Sequence, residues 1–389
     1  MKTLNRWLLP KGVEEILPKQ AWLIKQYERS LLDLYHAWGY ELVIPPLIEY
    51  QESLLAGLGQ DVDLLSFKLT DQLSGRTLAV RSDMTPQAAR IDAHSWAQKG
   101  VTRLCYSGTV LHTRPKNALA SRTPIEIGAE LYGDDSINSD LEVIQLMLAS
   151  LRLTEKSTIH LDIGHVGIYR ALVGELDLPE NTESELFGAF DRKSEPEIDQ
   201  ILAPWQTTPV AQMLKSLVGL NGGEAVLDQA TNQLAHAPSQ VLEALTTIKQ
   251  TVEQLKANQP DLPIMIDLAE LRGYQYHTGM VFSAYIEGIG HAVANGGRYD
   301  GIGALFGRDR PATGFTINVN SLVDSIVSRE EQASILAPGF LELDGDLQAV
   351  IARLRADGQR VIYQLGEELP AHCTKKLSKQ EGQWIVTDL

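Results

Sequence analysis

A chain of 389 residues, 44% of them hydrophobic, can bury a full core in one large domain or in two or three smaller ones without covalent staples. Its two cysteines, Cys105 and Cys373, are too few for a disulfide framework and fit no zinc spacing, which points to a reduced, cytoplasmic setting. A formal charge of −16 at pH 7 works against capture of nucleic acid, because that affinity rests on phosphate neutralisation by Lys and Arg.

The opening MKTLNRWLLPKG has only Trp7–Leu9 as an apolar run and reads neither as a signal peptide nor as a membrane anchor. Lys19–Trp38 reads as a helix, with Leu23, Tyr27, Leu31, Leu34 and Trp38 at near-heptad spacing and Gly39 as a left-handed stop. The next stretch, GYELVIPPLIEY, is extended, and Pro45 and Pro46 keep it out of the middle of a sheet. From Phe67 to Gly133 the sequence alternates strands and turns (FKLTDQ, RTLAVRSDMTPQAARI, RLCYSGTVL, IEIGAELYG) with the two-residue period of half-buried antiparallel strands.

Ser139 and Glu142 suggest a capping box, followed by a helix whose apolar face is Leu141, Ile144, Met147, Leu148 and Leu151. Thr158–Gly164 reads as a strand with Ile159, Leu161 and Ile163 on one face. Residues from about Tyr169 to Pro260 form a mainly helical insertion with stripes at Val210, Met213, Leu214, Leu217, Val218 and at Val241, Leu245, Ile248, Val252, Leu255. Strands resume at Pro263 and continue to Gly314–Asn318, with a short helix expected over Ser321–Val327. Beyond residue 325 the chain reads as strand Phe340–Leu343, helix Leu347–Leu354 stopped by Gly358, and strand Val361–Leu365.

Two stretches carry the chemistry. ELRGYQYHTGMVF places Arg272 and the rings of Tyr274, Tyr276 and His277 at the mouth of a strand spanning Met280 to Ile286, and ANGGRYDGIG returns Arg298 and Tyr299 after a glycine turn. Such a grouping can line a small polar pocket, and by composition it can equally be a hairpin whose aromatics pack and whose glycines serve turns. No glycine is followed by lysine, so no P-loop is present, and no GxSxG elbow occurs. His160 and His165, five residues apart on a strand, face opposite ways and do not share a metal.

LRGYQYHTG followed by NGGRYDG resembles the two histidine-specific signatures of the histidyl-tRNA synthetase family, and the likeness covers roughly Leu9 to Leu322. The helix followed by a proline-interrupted strand is similar to motif 1 of class II synthetases, with Pro46 at the motif's proline, and motif 1 implies a homodimer. VRSDMT is similar to the segment that holds the histidine amino group, here Asp83 and Thr85, and IEIGAE to the segment lining the imidazole and amino pockets, here Glu126 and Glu130. Arg272, Tyr276, His277 and Tyr299 complete the histidine-binding set that the resemblance implies. The set suits a free amino acid, whose ammonium wants carboxylates, whose carboxylate wants an arginine, and whose imidazole wants an acceptor and a donor.

The adenylation half of the resemblance breaks down. Motif 2 reads TVLHTRP, with Val110, Leu111, His112 and Thr113 where the family has an aromatic, an arginine, a variable residue and a glutamate. Motif 3 reads GFTINVNSL, with Asn318, Asn320 and Ser321 where its glycine, glutamate and arginine stand. Without cationic clamps on the phosphates, electrostatic catalysis of adenylation is lost. The tail beyond 325 also falls short of the family's anticodon-binding domain.

YSGTVLHTRP, EIGAELYG and LRGYQYHTG resemble a second family in its own right, the regulatory subunits of ATP phosphoribosyltransferase. That resemblance implies no enzymatic activity of its own, no cofactor and no metal. It implies a short-form ATP phosphoribosyltransferase catalytic subunit as partner, activation of the first step of histidine biosynthesis, and L-histidine as feedback effector. A divergent class II ligase that activates histidine with ATP through substitute residues is the alternative. The expected fold is α+β: a class II synthetase-like, mainly antiparallel sheet flanked by helices over 1–325, with the helical insertion at about 169–260, and a small α/β domain over 326–389. Neither nucleic acid nor a membrane is an expected partner.

Overall fold

The computed structural model describes residues 7–54, 64–115, 120–154, 158–326, 333–340, 344–366, 368–370 and 372–389. They fall into two compact units, Met1–Val327 and Ser328–Leu389. The strands of the first unit are β1 (Glu41–Leu42), β2 (Ile48–Tyr50), β3 (Lys68–Thr70), β4 (Thr77–Val80), β5 (Thr102–Thr109) and β6 (Ile125–Tyr132). They continue with β7 (Ile159–His165), β8 (Asn221–Gly222), β9 (Ile264–Asp267), β10 (Met280–Ile286), β11 (Ala294–Arg298) and β12 (Ala312–Asn318).

Nine of these strands form one sheet in the order β1-β5-β6-β12-β11-β10-β7-β9-β8, and β2, β4 and β3 form a small three-stranded sheet. The pairings β1 with β5 and β7 with β9 are parallel, and the rest of the large sheet is antiparallel. Pro45 and Pro46 lie between β1 and β2, so the extended stretch after Gly39 divides between the edges of two sheets.

The two-residue period sorts the central strands into a helix-covered face and a face that floors a polar cleft. Cys105, Ile127, Ala129, Phe315, Ile317, Phe282 and Ala284 point into the main hydrophobic core. That core is closed by the helices Pro18–Ala37 and Ile137–Arg152, with Tyr35 meeting Phe315 edge-on at 6.0 Å. The other face carries Tyr106, Gly128, Thr316, Asn295, Ser283 and Asp162 as one continuous cross-strand row. Leu104, Glu130, Gly314, Gly297 and Val281 make the next row. The half-buried expectation is corrected for β6, which is buried at seven of its eight positions because helices cover one face and Tyr106, Tyr299 and their neighbours pack on the other; β3 and β4 stay largely exposed or partly buried.

The first helix spans Pro18–Ala37 and buries Ile24, Tyr27, Leu31 and Tyr35, while Leu23, Leu34 and Trp38 pack at the margin; Gly39 stops it at φ +82°. Thr85–Arg90, read as strand and turn, is instead a buried helix with Pro86 near its start, running into a π-helical turn at Ile91–Ser95. The capping box is also replaced. Ser136 is the N-cap residue of the helix Ile137–Arg152, Ser139 lies inside it, and Glu142 instead accepts from Arg103 and the Tyr40 hydroxyl.

The helical region begins at Val166 and runs through Asn258, and both sequence stripes face inward, with Val210 only partly buried. It also contributes β8 to the edge of the large sheet. The short helix after β12 is 3-10 in character, Val319–Ser325.

The second unit contains β13 (Ser334–Ala337), the helix Gly345–Ala356, β14 (Val361–Tyr363), β15 (Cys373–Gln380) and β16 (Gln383–Asp388). Its sheet order is β14-β13-β15-β16, parallel except for the closing hairpin, which was not expected. Gly358 ends the helix region at φ +77°, and Leu347, Ile351, Ile335, Val361 and Leu377 form its core. The strand expected at Phe340–Leu343 falls mostly outside the described residues; Phe340 itself is not in a strand.

Candidate functional site

The polar face of the large sheet is the floor of a cleft of about 910 Å³, and all eight expected binding residues line it: Asp83, Thr85, Glu126, Glu130, Arg272, Tyr276, His277 and Tyr299. Missing side chains make the space. A Cβ on Gly128 would strike the Tyr106 hydroxyl, and one on Gly314 would strike the Glu130 carboxyl, so both positions admit only glycine without rearrangement.

Glu130 marks the deep end. Its carboxyl accepts from the Tyr106 hydroxyl at 2.8 Å and from the Tyr299 hydroxyl, and Tyr106 in turn meets Thr316 at 2.9 Å and Thr85 at 3.1 Å. Burial pushes the Glu130 carboxyl up to about 8, against the pull of the hydrogen bonds from Tyr299, Tyr106 and Thr85. Asp83 uses one oxygen to accept the backbone N–H of Thr85 at 2.9 Å, fixing the turn into the buried helix. Glu126, on the same face of β6 four residues earlier, lies about 13 Å along the strand toward the other end of the cleft.

The signature loop supplies the opposite wall. Gly273 at φ +67° turns the chain, the backbone N–H of His277 closes on Gly273 O at 2.7 Å, and a Cβ at Gly273 or Gly297 would strike the His277 ring. Burial pushes the His277 imidazole down to about 4, so it is neutral at pH 7. Tyr276 stacks on Tyr299 with centroids 4.9 Å apart. Arg272 reaches back to the sheet, donating to Ser283 Oγ at 2.5 Å, Asn295 Oδ1 at 2.8 Å and the Tyr285 hydroxyl at 3.3 Å.

Two residues expected at the pocket mouth are elsewhere. Tyr274 packs between Tyr169 and Phe187 in the helical region, at 5.4 Å from each. Arg298 is buried beneath the loop, donating to Asp140 Oδ2 at 3.1 Å, Ser139 Oγ at 2.7 Å and the carbonyls of Asp134 and Ser136. A residue that sequence reasoning missed, Arg170, fastens the loop from outside through Tyr274 O and His277 O at 2.8 and 2.9 Å. Tyr106, Thr316, Ser283, Tyr285 and Asn295 were missed as well. Their signal was positional, since each falls on the polar side of a strand whose alternate residues are apolar.

At the stretches that resemble motifs 2 and 3, the matched positions carry neutral side chains, with Arg81 and Arg122 packed beside them on Thr109 O and His112 O. Leu111 and His112 are docked by their backbones on Arg81 O and Arg122 O, Asn320 accepts the N–H of Ile125 at 2.7 Å, and Ser321 pairs with His291 at 3.0 Å. Among the described residues, the cleft is lined by Glu14, Glu15, Asp83, Glu126, Glu130 and Asp324 against one arginine, Arg272. That balance attracts an ammonium group and a single carboxylate and repels a triphosphate. Among the described residues no group of three or more His, Cys, Asp or Glu side chains could hold a metal ion, and no helix is long and apolar enough to cross a membrane.

Fold and cleft together define a histidyl-tRNA synthetase-like protein of class II architecture, and the profile described as histidyl-tRNA synthetase matches residues 12–322. The profile of the ATP phosphoribosyltransferase subunit HisZ C-terminal domain matches residues 332–387. The ATP phosphoribosyltransferase regulatory subunits of Pseudomonas fluorescens Pf-5 and Pseudomonas aeruginosa PAO1 are each 48% identical to this chain, with all of both chains covered. The chain belongs to the family of ATP phosphoribosyltransferase regulatory subunits.

A solved structure from Bacillus halodurans, titled as an ATP phosphoribosyltransferase regulatory subunit/histidyl-tRNA synthetase, is 28% identical, with 94% of each chain covered and a TM-score of 0.82. Histidyl-tRNA synthetase from Nostoc sp. PCC 7120, at 18% identity, shares the fold over 98% of this chain and 97% of its own with a TM-score of 0.76.

The raised Glu130 carboxyl has a signed consequence. The unfolded chain releases this proton near the ordinary value of 4.5 and the folded chain near 8, so its stabilising contribution is complete below 4.5 and is lost as pH rises to about 8. His277 and His165, both pushed down to about 4 by burial, act in the opposite sense and only below about 6.5. Denaturant unfolding of the ligand-free protein should therefore lose stability from pH 6.5 to 8, and Glu130→Gln should flatten that slope; an unchanged slope in the variant would contradict the assignment.

Proposed function

We propose that this chain acts as a non-catalytic regulatory subunit that activates a short-form ATP phosphoribosyltransferase catalytic subunit in the first step of histidine biosynthesis, and that it carries histidine feedback. One observation bears most of the weight: 48% identity over the full length to regulatory subunits, joined to a cleft that keeps the amino-acid residues and lacks the cations of adenylation. The histidine-binding roles follow from chemistry. Asp83, Glu126 and Glu130 offer acceptors for an ammonium and an imidazole N–H, Arg272 offers donors for a carboxylate, and Tyr276, His277, Thr85 and Tyr299 shape the walls.

Feedback is a coupling free energy between this cleft and the partner's active site, of the order of ~1–3 kcal/mol, and needs two states that histidine binds unequally. A homodimer is part of the proposal. Its support is the apolar surface on the motif 1-like segment, where Leu42, Ile44, Leu47 and Ile48 are exposed, Ile44 at 84%. The histidine-activating ligase is the weaker reading, because motif 2 and motif 3 positions carry Leu111, Asn318, Asn320 and Ser321 and no cation replaces them in the cleft among the described residues.

The direct test is the rate of phosphoribosyl-ATP formation by a purified short-form catalytic subunit with and without this chain, with L-histidine titrated in. The expected result is activation that histidine then suppresses; no change in rate or in histidine sensitivity would overturn the proposal. Sedimentation velocity of the isolated chain should give twice the mass of 42.9 kDa, and a single-chain mass would remove the homodimer.

A further inference from the structure

Arg272 is the one arginine lining the cleft among the described residues, and its own side chain is substantially exposed, so nothing in its immediate burial fixes where the guanidinium points. What fixes it is a cross-strand device. Ser283 of β10 and Asn295 of β11 are directly opposite in the antiparallel ladder, and Ser283 Oγ donates to Asn295 Oδ1 at 3.0 Å. One terminal nitrogen of Arg272 donates to both members of this pair, at 2.5 and 2.8 Å, and the other donates to the Tyr285 hydroxyl at 3.3 Å, from the next outward-facing position of β10. Glu270, on its own loop, accepts the Arg272 backbone N–H at 2.8 Å and stands 3.6 Å from the guanidinium, an ion pair beyond hydrogen-bond range.

A guanidinium has five N–H donors, and three are engaged, which leaves two. Two is the number a bidentate carboxylate requires. The clamp is built from neutral acceptors on rigid strands, so it orients the arginine, while Glu270 at 3.6 Å pairs with its charge without taking up a guanidinium N–H group.

We infer that Asn295, Ser283 and Tyr285 are positioning residues that hold Arg272 so that its two remaining N–H groups receive the carboxylate of the bound amino acid, and that they set selection for ligands bearing that carboxylate. The inference deepens the reading of the cleft as a histidine site and rests on it. Asn295 is the pivotal member, since its side-chain oxygen accepts from both Arg272 and Ser283.

The test is calorimetric titration of the full chain and of Asn295→Ala with two probes: L-histidine, and L-histidinol, which keeps the imidazole and the ammonium and has a hydroxymethyl in place of the carboxylate. The expected result is a loss of about tenfold or more in histidine affinity, the scale of one hydrogen bond to a charged group, with histidinol affinity unchanged. Tyr285→Phe, which deletes only a hydroxyl, should show the same split more weakly and stands in if the alanine variant does not fold. Equal weakening of both probes would overturn the inference, because a merely structural role cannot tell them apart. A wild-type chain that binds neither probe would overturn the histidine reading itself, and this inference with it.

Discussion

The carboxyl of Glu130, sunk between the hydroxyls of Tyr106 and Tyr299 in the middle of the large sheet, is the constraint around which the first unit is arranged. A buried carboxyl is costly unless it is hydrogen-bonded, and those two donors come from β5 and from the residue just beyond β11, so the register of the central strands must be held. Gly128 and Gly314 are the matching concessions, since any larger side chain at either position meets a member of the network. The opposite face of the same strands is mainly apolar and packed by two long helices, with its buried charge, Arg298, already paired to Asp140, which leaves the cleft face as the place where ligand chemistry can be set.

Charge distribution then decides what the cleft can hold. Besides Glu130, which burial holds protonated at pH 7, five acidic side chains and one arginine line it among the described residues, a balance that suits a small zwitterion and opposes a nucleotide triphosphate. At one end of the cleft Glu130, Tyr276 and Tyr299 interlock, and at the other Asn320 and Ser321 are taken up by hydrogen bonds with Ile125 and His291. Under the proposed regulatory role, occupancy of the cleft rather than turnover carries the signal.

Elements with a strong local signal were legible in the sequence. The strand Met280–Ile286 follows from its run of apolar and aromatic residues, Gly39 from the stop it gives a twenty-residue helix, and the stripe of Val241 to Leu255 from its helical spacing. The eight cleft residues were legible through resemblance, and the cleft gathers all of them. Failures came where a distant partner outweighed a local pattern. Ser139 fitted a capping box, yet it receives a hydrogen bond from Arg298, far along the chain. Thr85–Arg90 sat within alternating sequence, yet Pro86 starts a helix that is buried on nearly every side. Tyr274 and Tyr276 are two residues apart in the loop, yet one packs among helices and the other lines the cleft, which spacing alone could not separate.

The claim that this cleft takes an amino acid and not a nucleotide is tested most directly by calorimetric titration of the isolated wild-type chain, first with L-histidine and then with magnesium-ATP. The account predicts saturable heat of binding for histidine and none for ATP. Binding of ATP, with or without histidine present, would contradict it.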